Sequence, residues 1–309
     1  MADLLDVLKQ IHDTEAALAK ATEAAAQHPD RTSLQSAINS LRSRYEVLEK
    51  LFSSMTDEQH LDVFSYRLIP ENGERYTLRT LANTLGDFQD ILTLTYDAKK
   101  TGQRKERASW SADTARETDL SYGYSFSGSL GFVFTMSNER LLPQIDSVLD
   151  IAVKTIFEMA KADSSEQLNR FAKEIGIAPI RKLYKWASDH VAAGMNVDVR
   201  WKRKDEVRAA LVIQQPELER LREVISKTSD EVEETIVAKG VLVGGDLPTK
   251  WFHFMPIDGK DMRGRLADSY KPHKRMELGK TYTATILKRT KKHYSTDEDD
   301  EQCLLVSLD

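Results

Sequence analysis

The sequence predicts an α+β protein in three consecutive regions. We expect an antiparallel helical hairpin (a coiled coil) at residues 1–55, a mixed α+β core domain at 56–228, and a small all-β barrel of the OB or SH3-like kind at 229–309. Three observations predict this order. Residues 2–27 are Ala-rich and lack Gly and Pro, the middle region alternates helical and strand periodicities, and the final region carries only strand patterns and turns.

The first region predicts two helices joined by a turn at HPDRTS, residues 28–33. The second helix repeats apolar residues at spacings of three and four, which is a heptad seam. A lone hairpin exposes part of such a seam, so we expect it to pack on the body of the protein or, as we favour, on a second copy in a homo-oligomeric four-helix bundle. The residues predicted to drive oligomerisation are Leu34, Ile38, Leu41, Tyr45, Leu48 and Phe52.

The core domain predicts a strand at 61–70, a helix at 77–99 and a polar, mobile loop at 101–119. Helices are expected at 142–162, with Pro143 in the first turn, at 164–176 and at 180–193. Alternating strands at 195–203 and 206–214 are close enough to form a hairpin, and a helix at 216–227 leads out of the domain.

The text LSYGYSFSGSLGFVFTMS, residues 120–137, places aromatic side chains on one face of a predicted strand and Gly, Ser and Thr on the other. A face of such small residues admits another backbone or a ligand. It therefore predicts that a helix packs there, that the glycines mark bulges, or that the small residues form the floor of a hydroxyl-lined pocket within strand 121–131. The possible pocket residues are Ser125, Ser127, Gly128 and Ser129.

The last region predicts five short strands separated by turns. Asp258-Gly259 between two alternating segments is the strongest hairpin signal in the chain. Five strands at this spacing are typical of a small barrel, in which closure protects the strand edges.

The charge is distributed unevenly. The chain has a net charge of −5, but residues 99–107, 200–208 and 271–293 together carry 18 basic and 4 acidic residues. Aromatic residues stand among these cations, as in proteins that stack nucleic-acid bases. However, an aromatic residue in an alternating strand is commonly part of the core, and the acidic segment 297–301 could neutralise its basic neighbour. The predicted nucleic-acid-binding residues are Arg200, Trp201, Lys202, Arg203, Lys274, Arg275, Lys288, Arg289, Lys291 and Lys292.

The sequence offers no motif for catalysis. G-x-S-x-G, phosphate-binding loops and paired zinc-ligand histidines are absent from it, and Cys303 is the only cysteine. We therefore expect no cofactor, no metal and no enzymatic activity. The acidic N-terminal residues predict no secretory signal, and no apolar stretch approaches the roughly 18 residues of a membrane span. A cytoplasmic location without membrane contact is expected.

Residues 240–270, followed by LGKTYTATILKRT, resemble small terminal barrels of bacterial proteins encoded near mobile or defence genes. That resemblance implies an accessory component of an antiviral defence or mobile-element system. The first functional hypothesis is a non-enzymatic scaffold that oligomerises through its N-terminal helices and docks a protein partner through its barrel. The alternatives are a nucleic-acid-binding module, and a ligand-sensing effector or enzyme with its pocket at strand 121–131.

Overall fold

The computed structural model describes residues 4–28, 30–71, 76–126, 130–138, 146–203, 206–270, 277–296 and 298–309. The chain forms two compact units, Met1–Ile225 and Ser226–Asp309. The first unit mixes helices with a sheet, and the second contains a closed barrel of five strands. The predicted α+β class with a C-terminal barrel is therefore confirmed. In the ranges described, no helix is long and apolar enough to cross a membrane.

An antiparallel sheet occupies the centre of the first unit. Its strands are β1 (Leu61–Pro70), β2 (Ser121–Phe126), β3 (Leu130–Ser137), β4 (Met195–Arg203) and β5 (Glu206–Ile213), in the order β2-β3-β1-β4-β5. The central strand β1 pairs with β3 on one side and β4 on the other. Successive side chains of a strand point to opposite faces, so Phe64 and Tyr66 share one face while Ser65 and Arg67 share the other.

The main core lies between one sheet face and a layer of helices. Phe64, Tyr66 and Leu68 of β1 are fully buried on this face. The Tyr66 ring lies 5.3 Å from the ring of Phe88, and its hydroxyl accepts a hydrogen bond of 2.7 Å from Trp186 Nε1. The helices that begin in this unit are α1 (Leu4–Gln27), α2 (Thr32–Glu58), α3 (Leu78–Thr101), α4 (Ala112–Thr118), α5 (Val148–Met159), α6 (Ser165–Ile175), α7 (Ala178–Ala192) and α8 (Gln215–Lys227).

The α1–α2 hairpin packs on the opposite face of the sheet. One buried cluster joins Leu4 and Leu8 of α1 to Leu48 and Phe52 of α2 and to Val63 of β1. Because the first residues of α1 meet the last turns of α2, the two helices run antiparallel. Much of the heptad seam is therefore used inside the chain, so the apolar surface available for self-association is smaller than the sequence suggested.

Three local predictions for the core domain were wrong. The segment 101–119 contains α4, and the Lys105 backbone is held by hydrogen bonds of 2.8 Å to Ile175 O and from Ala178 N. The text 120–137 folds back as the β2–β3 hairpin rather than continuing as one strand. Helix α5 begins later than expected, because Ser147 and Asp150 form a capping box at its first turn; Pro143 lies outside the described residues.

The second unit is built from β6 (Ser229–Asp246), β7 (Trp251–Pro256), β8 (Met262–Leu266), β9 (Thr281–His293) and β10 (Asp299–Leu308). The barrel closes in the order β10-β8-β7-β6-β9, with β8 and β10 parallel and the other pairs antiparallel. A Cβ at Gly264 would collide with the carbonyl oxygen of Cys303, so a glycine is required where β8 and β10 approach. The core residues are Phe252, Phe254, Leu266, Ala284, Ile286 and Leu305.

Candidate nucleic-acid interface

In the first basic segment, 99–107, three of the five basic residues pair with neighbouring carboxylates. Lys99 pairs with Glu174, and Lys105 pairs with the buried carboxylate of Asp97. Lys100 Nζ lies 2.5 Å from a carboxylate oxygen of Glu117, and this pairing lowers the pKa of Glu117. These cations hold α3 to α4, α6 and the loop between them, so they present little uncompensated charge to a polyanion.

In the second basic segment, residues 200–203 are divided between the two faces of β4. Trp201 is fully buried and donates a hydrogen bond of 3.0 Å from Nε1 to Asp62. Arg203 is also buried, and its guanidinium contacts the carboxylates of Asp62 and Asp150. Neither side chain is on the surface, so neither can meet a nucleic acid as predicted. Arg200 and Lys202 lie on the opposite face, where Asp198 binds the Arg200 guanidinium through two contacts of 3.0 Å.

The buried ion group shifts the pKa values of Asp150 and Arg203. Burial opposes ionisation of Asp150, but hydrogen bonds from Arg203, Asn138 and the Ser147 backbone outweigh burial and lower the pKa of Asp150 to about 2. Burial likewise opposes charge on Arg203, yet the hydrogen bonds with Asp62 and Asp150 raise the pKa of Arg203. This group joins β1, β4 and α5 as a structural element rather than a binding surface.

The third basic segment, 271–293, contains Lys274 and Arg275, which lie outside the described residues. Its remaining predicted cations lie on β9 between two acidic strands. Arg289 Nε lies 2.6 Å from Glu233 of β6, and Lys288 Nζ lies 2.8 Å from Glu301 of β10. In the ladder, Lys291 is opposite Glu231 and Asp300, and Lys292 is opposite Asp230 and Asp299. Cross-strand pairs of opposite charge stabilise the ladder by about 0.2–1 kcal/mol each and cancel the local potential.

The predicted pocket residues are only partly described. Ser125 is exposed on β2, and Ser127, Gly128 and Ser129 lie outside the described residues. The pocket at this strand therefore stays a prediction.

A surface that the sequence reasoning missed lies on the outer side of β7 and β8. Trp251 is opposite Arg265, and His253 is opposite Arg263. The Trp251 side chain is 42% exposed although its neighbours in sequence, Phe252 and Phe254, are buried. We call Trp251, His253, Arg263 and Arg265 the β7–β8 face. An indole and two guanidinium groups are therefore adjacent on one exposed sheet surface.

Gly244 of β6 positions the Trp251 ring. The indole carbons Cζ3 and Cη2 lie 3.0 and 3.1 Å from where a Cβ at Gly244 would be. The ring therefore rests against the glycine backbone, and a side chain there would displace it. A ring supported in this way loses little conformational entropy when a second flat group stacks on it.

The charges around the β7–β8 face are partly balanced. His253 Nε2 lies 2.9 Å from Asp261, and a guanidinium nitrogen of Arg263 lies 3.7 Å from the same carboxylate. Lys250 pairs with Asp268 at 2.7 Å. Within the described part of the barrel, Arg265 makes no ion pair shorter than 4.0 Å. The surface thus favours stacking supported by one or two cations over binding by a large positive potential.

The missed residues did leave a signal in the sequence. Trp251, His253 and Met255 alternate with Phe252 and Phe254, and Arg263 and Arg265 alternate around Gly264. The Asp258-Gly259 turn joins the two segments, so period-2 reasoning could have placed these side chains on one outer face. They were overlooked because they belong to none of the three basic segments.

Comparisons with known proteins add nothing to this description. No protein family, curated protein or solved structure matches the chain. The geometry of the side chains therefore carries the functional argument. Across the residues described, no group of three or more His, Cys, Asp and Glu side chains is arranged to hold a metal ion.

Proposed function

We propose that the C-terminal barrel is an OB-type module and that the protein binds single-stranded nucleic acid on the β7–β8 face. The observation that carries the proposal is the exposed cross-strand pair of Trp251 and Arg265. The barrel has five strands, with its third and fifth strands adjacent and parallel. OB-type barrels are five-stranded Greek-key barrels that bind oligonucleotides on their second and third strands, which here are β7 and β8.

The proposed recognition is stacking, with a small electrostatic contribution. Stacking of one base on an aromatic side chain contributes about 1–3 kcal/mol and tolerates every base. If Arg263 and Arg265 each neutralise one phosphate, the logarithm of the association constant should fall with the logarithm of salt concentration with a slope of about −1.4. Binding through the basic residues of β9 would require a steeper slope, because more cations would contact phosphates.

Fluorescence anisotropy with a labelled oligothymidylate tests the proposal. Trp251→Ala should weaken binding by about 5-fold to 150-fold, the equivalent of 1–3 kcal/mol. Trp110→Ala is the matched control, since Trp110 is 37% exposed and lies in the first unit. Gly244→Val should weaken binding through displacement of the indole, although it removes no contact group.

Charge reversal separates the two possible nucleic-acid surfaces. Lys288→Glu and Lys292→Glu should change affinity less than Arg265→Glu, because β9 already lies between acidic strands. The proposal fails if the wild-type chain does not bind the oligonucleotide, or if Trp251→Ala and Trp110→Ala bind equally well. Tight binding of an oligosaccharide in place of the oligonucleotide would assign the same face to a different ligand class.

A second candidate function is the docking of a protein partner through the barrel. It is favoured by exposed apolar side chains, among them Val237 at 66% and Ile257 at 64% exposure. Together with self-association through an N-terminal coiled coil, this would make the protein a scaffold. Light scattering on the full chain tests self-association, and a strict monomer contradicts it. The accessory role in a defence or mobile-element system stays a prediction from the resemblance.

A further inference from the structure

A cleft in the first unit lies between the helical hairpin and the sheet. The hairpin leaves the β5 side of this face open, where Val212, opposite Asp198 in the ladder, is 47% exposed. The space between the two layers has a volume of about 340 Å³ and is lined by α1, α2, β1, β3 and β4. That volume is at the small end of the roughly 300–1,000 Å³ typical of small-molecule sites.

One part of the cleft is apolar. Leu8 and Ile11 of α1, Phe52 of α2, Val63 of β1 and Val133 of β3 line it, and all five side chains belong to the buried cluster beneath the hairpin. A ligand that placed an apolar group here would extend an existing core and would remove that group from water.

The polar walls of the cleft carry opposite charges. The sheet contributes the cations Arg67, Arg200 and Lys202, with Asp198 as its one acid among the lining residues. The helices contribute Glu15, Glu46 and Glu49, with Lys50 as the one lysine. His12 also lies on the helical wall, where burial lowers its pKa and favours the neutral imidazole.

In the part of the chain that the structure describes, Lys202, Glu46 and Glu49 form no ion pair shorter than 4.0 Å. The two hydrogen bonds to Asp198 fix the orientation of the Arg200 guanidinium group. Burial raises the pKa of Tyr45, as do the neighbouring carboxylates of Glu15 and Glu49 and the side-chain hydrogen bond with Glu49, so the Tyr45 hydroxyl keeps its proton and donates it to Glu49. Charges in a partly enclosed site are stabilised when a group of opposite sign reaches them.

We propose that this cleft binds a short zwitterionic peptide with apolar side chains. Its carboxylate meets Lys202 and Arg200 on the sheet, its ammonium group meets Glu46 and Glu49 on the helices, and an apolar side chain packs against Phe52. A free amino acid carries both charged groups on its one Cα, whereas each peptide residue adds up to about 3.3–3.6 Å to the distance between the two charged groups. The site is separate from the proposed nucleic-acid surface, which lies in the other unit.

Isothermal titration calorimetry with leucyl-leucine and three analogues tests the proposal on the full chain. The N-acetyl analogue lacks the ammonium charge, the C-terminal amide lacks the carboxylate, and glycyl-glycine lacks the apolar groups. Leucyl-leucine should bind, and each analogue should bind about 10-fold or more weakly, since a hydrogen bond to a charged group or a buried leucine side chain contributes that much.

Two variants connect the ligand's charges to named residues. Lys202→Gln should remove the difference in affinity between leucyl-leucine and its C-terminal amide. Glu49→Gln should reduce the difference in affinity between leucyl-leucine and its N-acetyl form. Lys161→Gln and Glu219→Gln are matched controls at exposed positions outside the cleft and should leave both differences unchanged. Absence of leucyl-leucine binding, equal binding of all four compounds, or equal effects of the cleft and control variants would overturn the proposal.

Discussion

Replacement of Arg203 by Met should destabilise the first unit strongly. Arg203 Nε lies 2.8 Å from Asp62 Oδ1, and its terminal nitrogens contact both carboxylates, including Asp150 Oδ2 at 3.1 Å. The Asp62 and Asp150 side chains are only 0% and 2% exposed. Arg203→Met therefore leaves two neighbouring buried carboxylates without their cation, which costs about 3–5 kcal/mol of unfolding free energy.

The matched control is Arg116→Met. Arg116 also pairs with an aspartate, Asp113, at 2.6 Å, but the two side chains are 78% and 77% exposed. An exposed pair contributes at most about 1 kcal/mol. Urea unfolding followed by tryptophan fluorescence measures the unfolding free energy of both variants. A Trp251→Phe background is used so that the signal arises only from the three tryptophans of the first unit.

The effect should also depend on pH. The folded-state pKa of Asp150 is lowered from 3.8 to about 2, so its ionisation stabilises the fold above pH 4 and that contribution is lost as pH falls towards 2. It amounts to about 2 kcal/mol. The cost of Arg203→Met should therefore shrink in acid, and Asp62→Asn in the Arg203→Met background should restore part of the stability. Equal losses in Arg203→Met and Arg116→Met would refute the reasoning.

Two further predictions concern stability. Burial lowers the pKa of His190 from 6.5 to about 4, so the neutral side chain stabilises the fold above pH 6.5 by about 3 kcal/mol, and this contribution is lost as pH falls to 4. Urea unfolding at several pH values should therefore show an unfolding free energy that falls with pH in this range in the wild type and not in His190→Gln. Gly264→Ala should destabilise the barrel by more than about 2 kcal/mol, because its Cβ would collide with Cys303 O. Gly259→Ala, whose Cβ would lie 3.6 Å from Pro256, should change stability little, and thermal unfolding of both variants measures the difference. An equal effect of the two alanines would contradict the collision.

The local pattern of the sequence was sufficient to predict the boundaries of most helices and strands. Strand β1 spans the predicted residues 61–70, and the five strands of the last region form the expected closed barrel. These boundaries follow from side-chain periodicity, capping residues and turns, which act between neighbours in the chain. The prediction of a mobile loop at 101–119 was wrong because the Lys105 backbone is held by hydrogen bonds with residues 175 and 178, which are distant in sequence.

The candidate site was far less predictable. The basic residues of β9 are obvious in the sequence, but their neutralisation depends on the register that places them beside Glu233 and Glu301. Trp251 and Arg265 are fourteen positions apart and fall outside the basic segments, yet pairing of β7 with β8 makes them neighbours. A count of charge along the chain therefore selected Arg203, Lys288 and Arg289, which already have acidic partners.

Strand β4 shows which features follow from the sequence and which depend on the tertiary structure. Its alternation alone places Trp201 and Arg203 on the same face as Val197 and Val199, because successive side chains of a strand point to opposite sides. Only the tertiary structure supplies the reason why an arginine can occupy that face, since Asp62 and Asp150 come from β1 and α5. The sequence by itself determined the periodic elements, which depend on local geometry; the fold decided which charges are neutralised, buried or exposed, because those depend on partners brought together from distant parts of the chain.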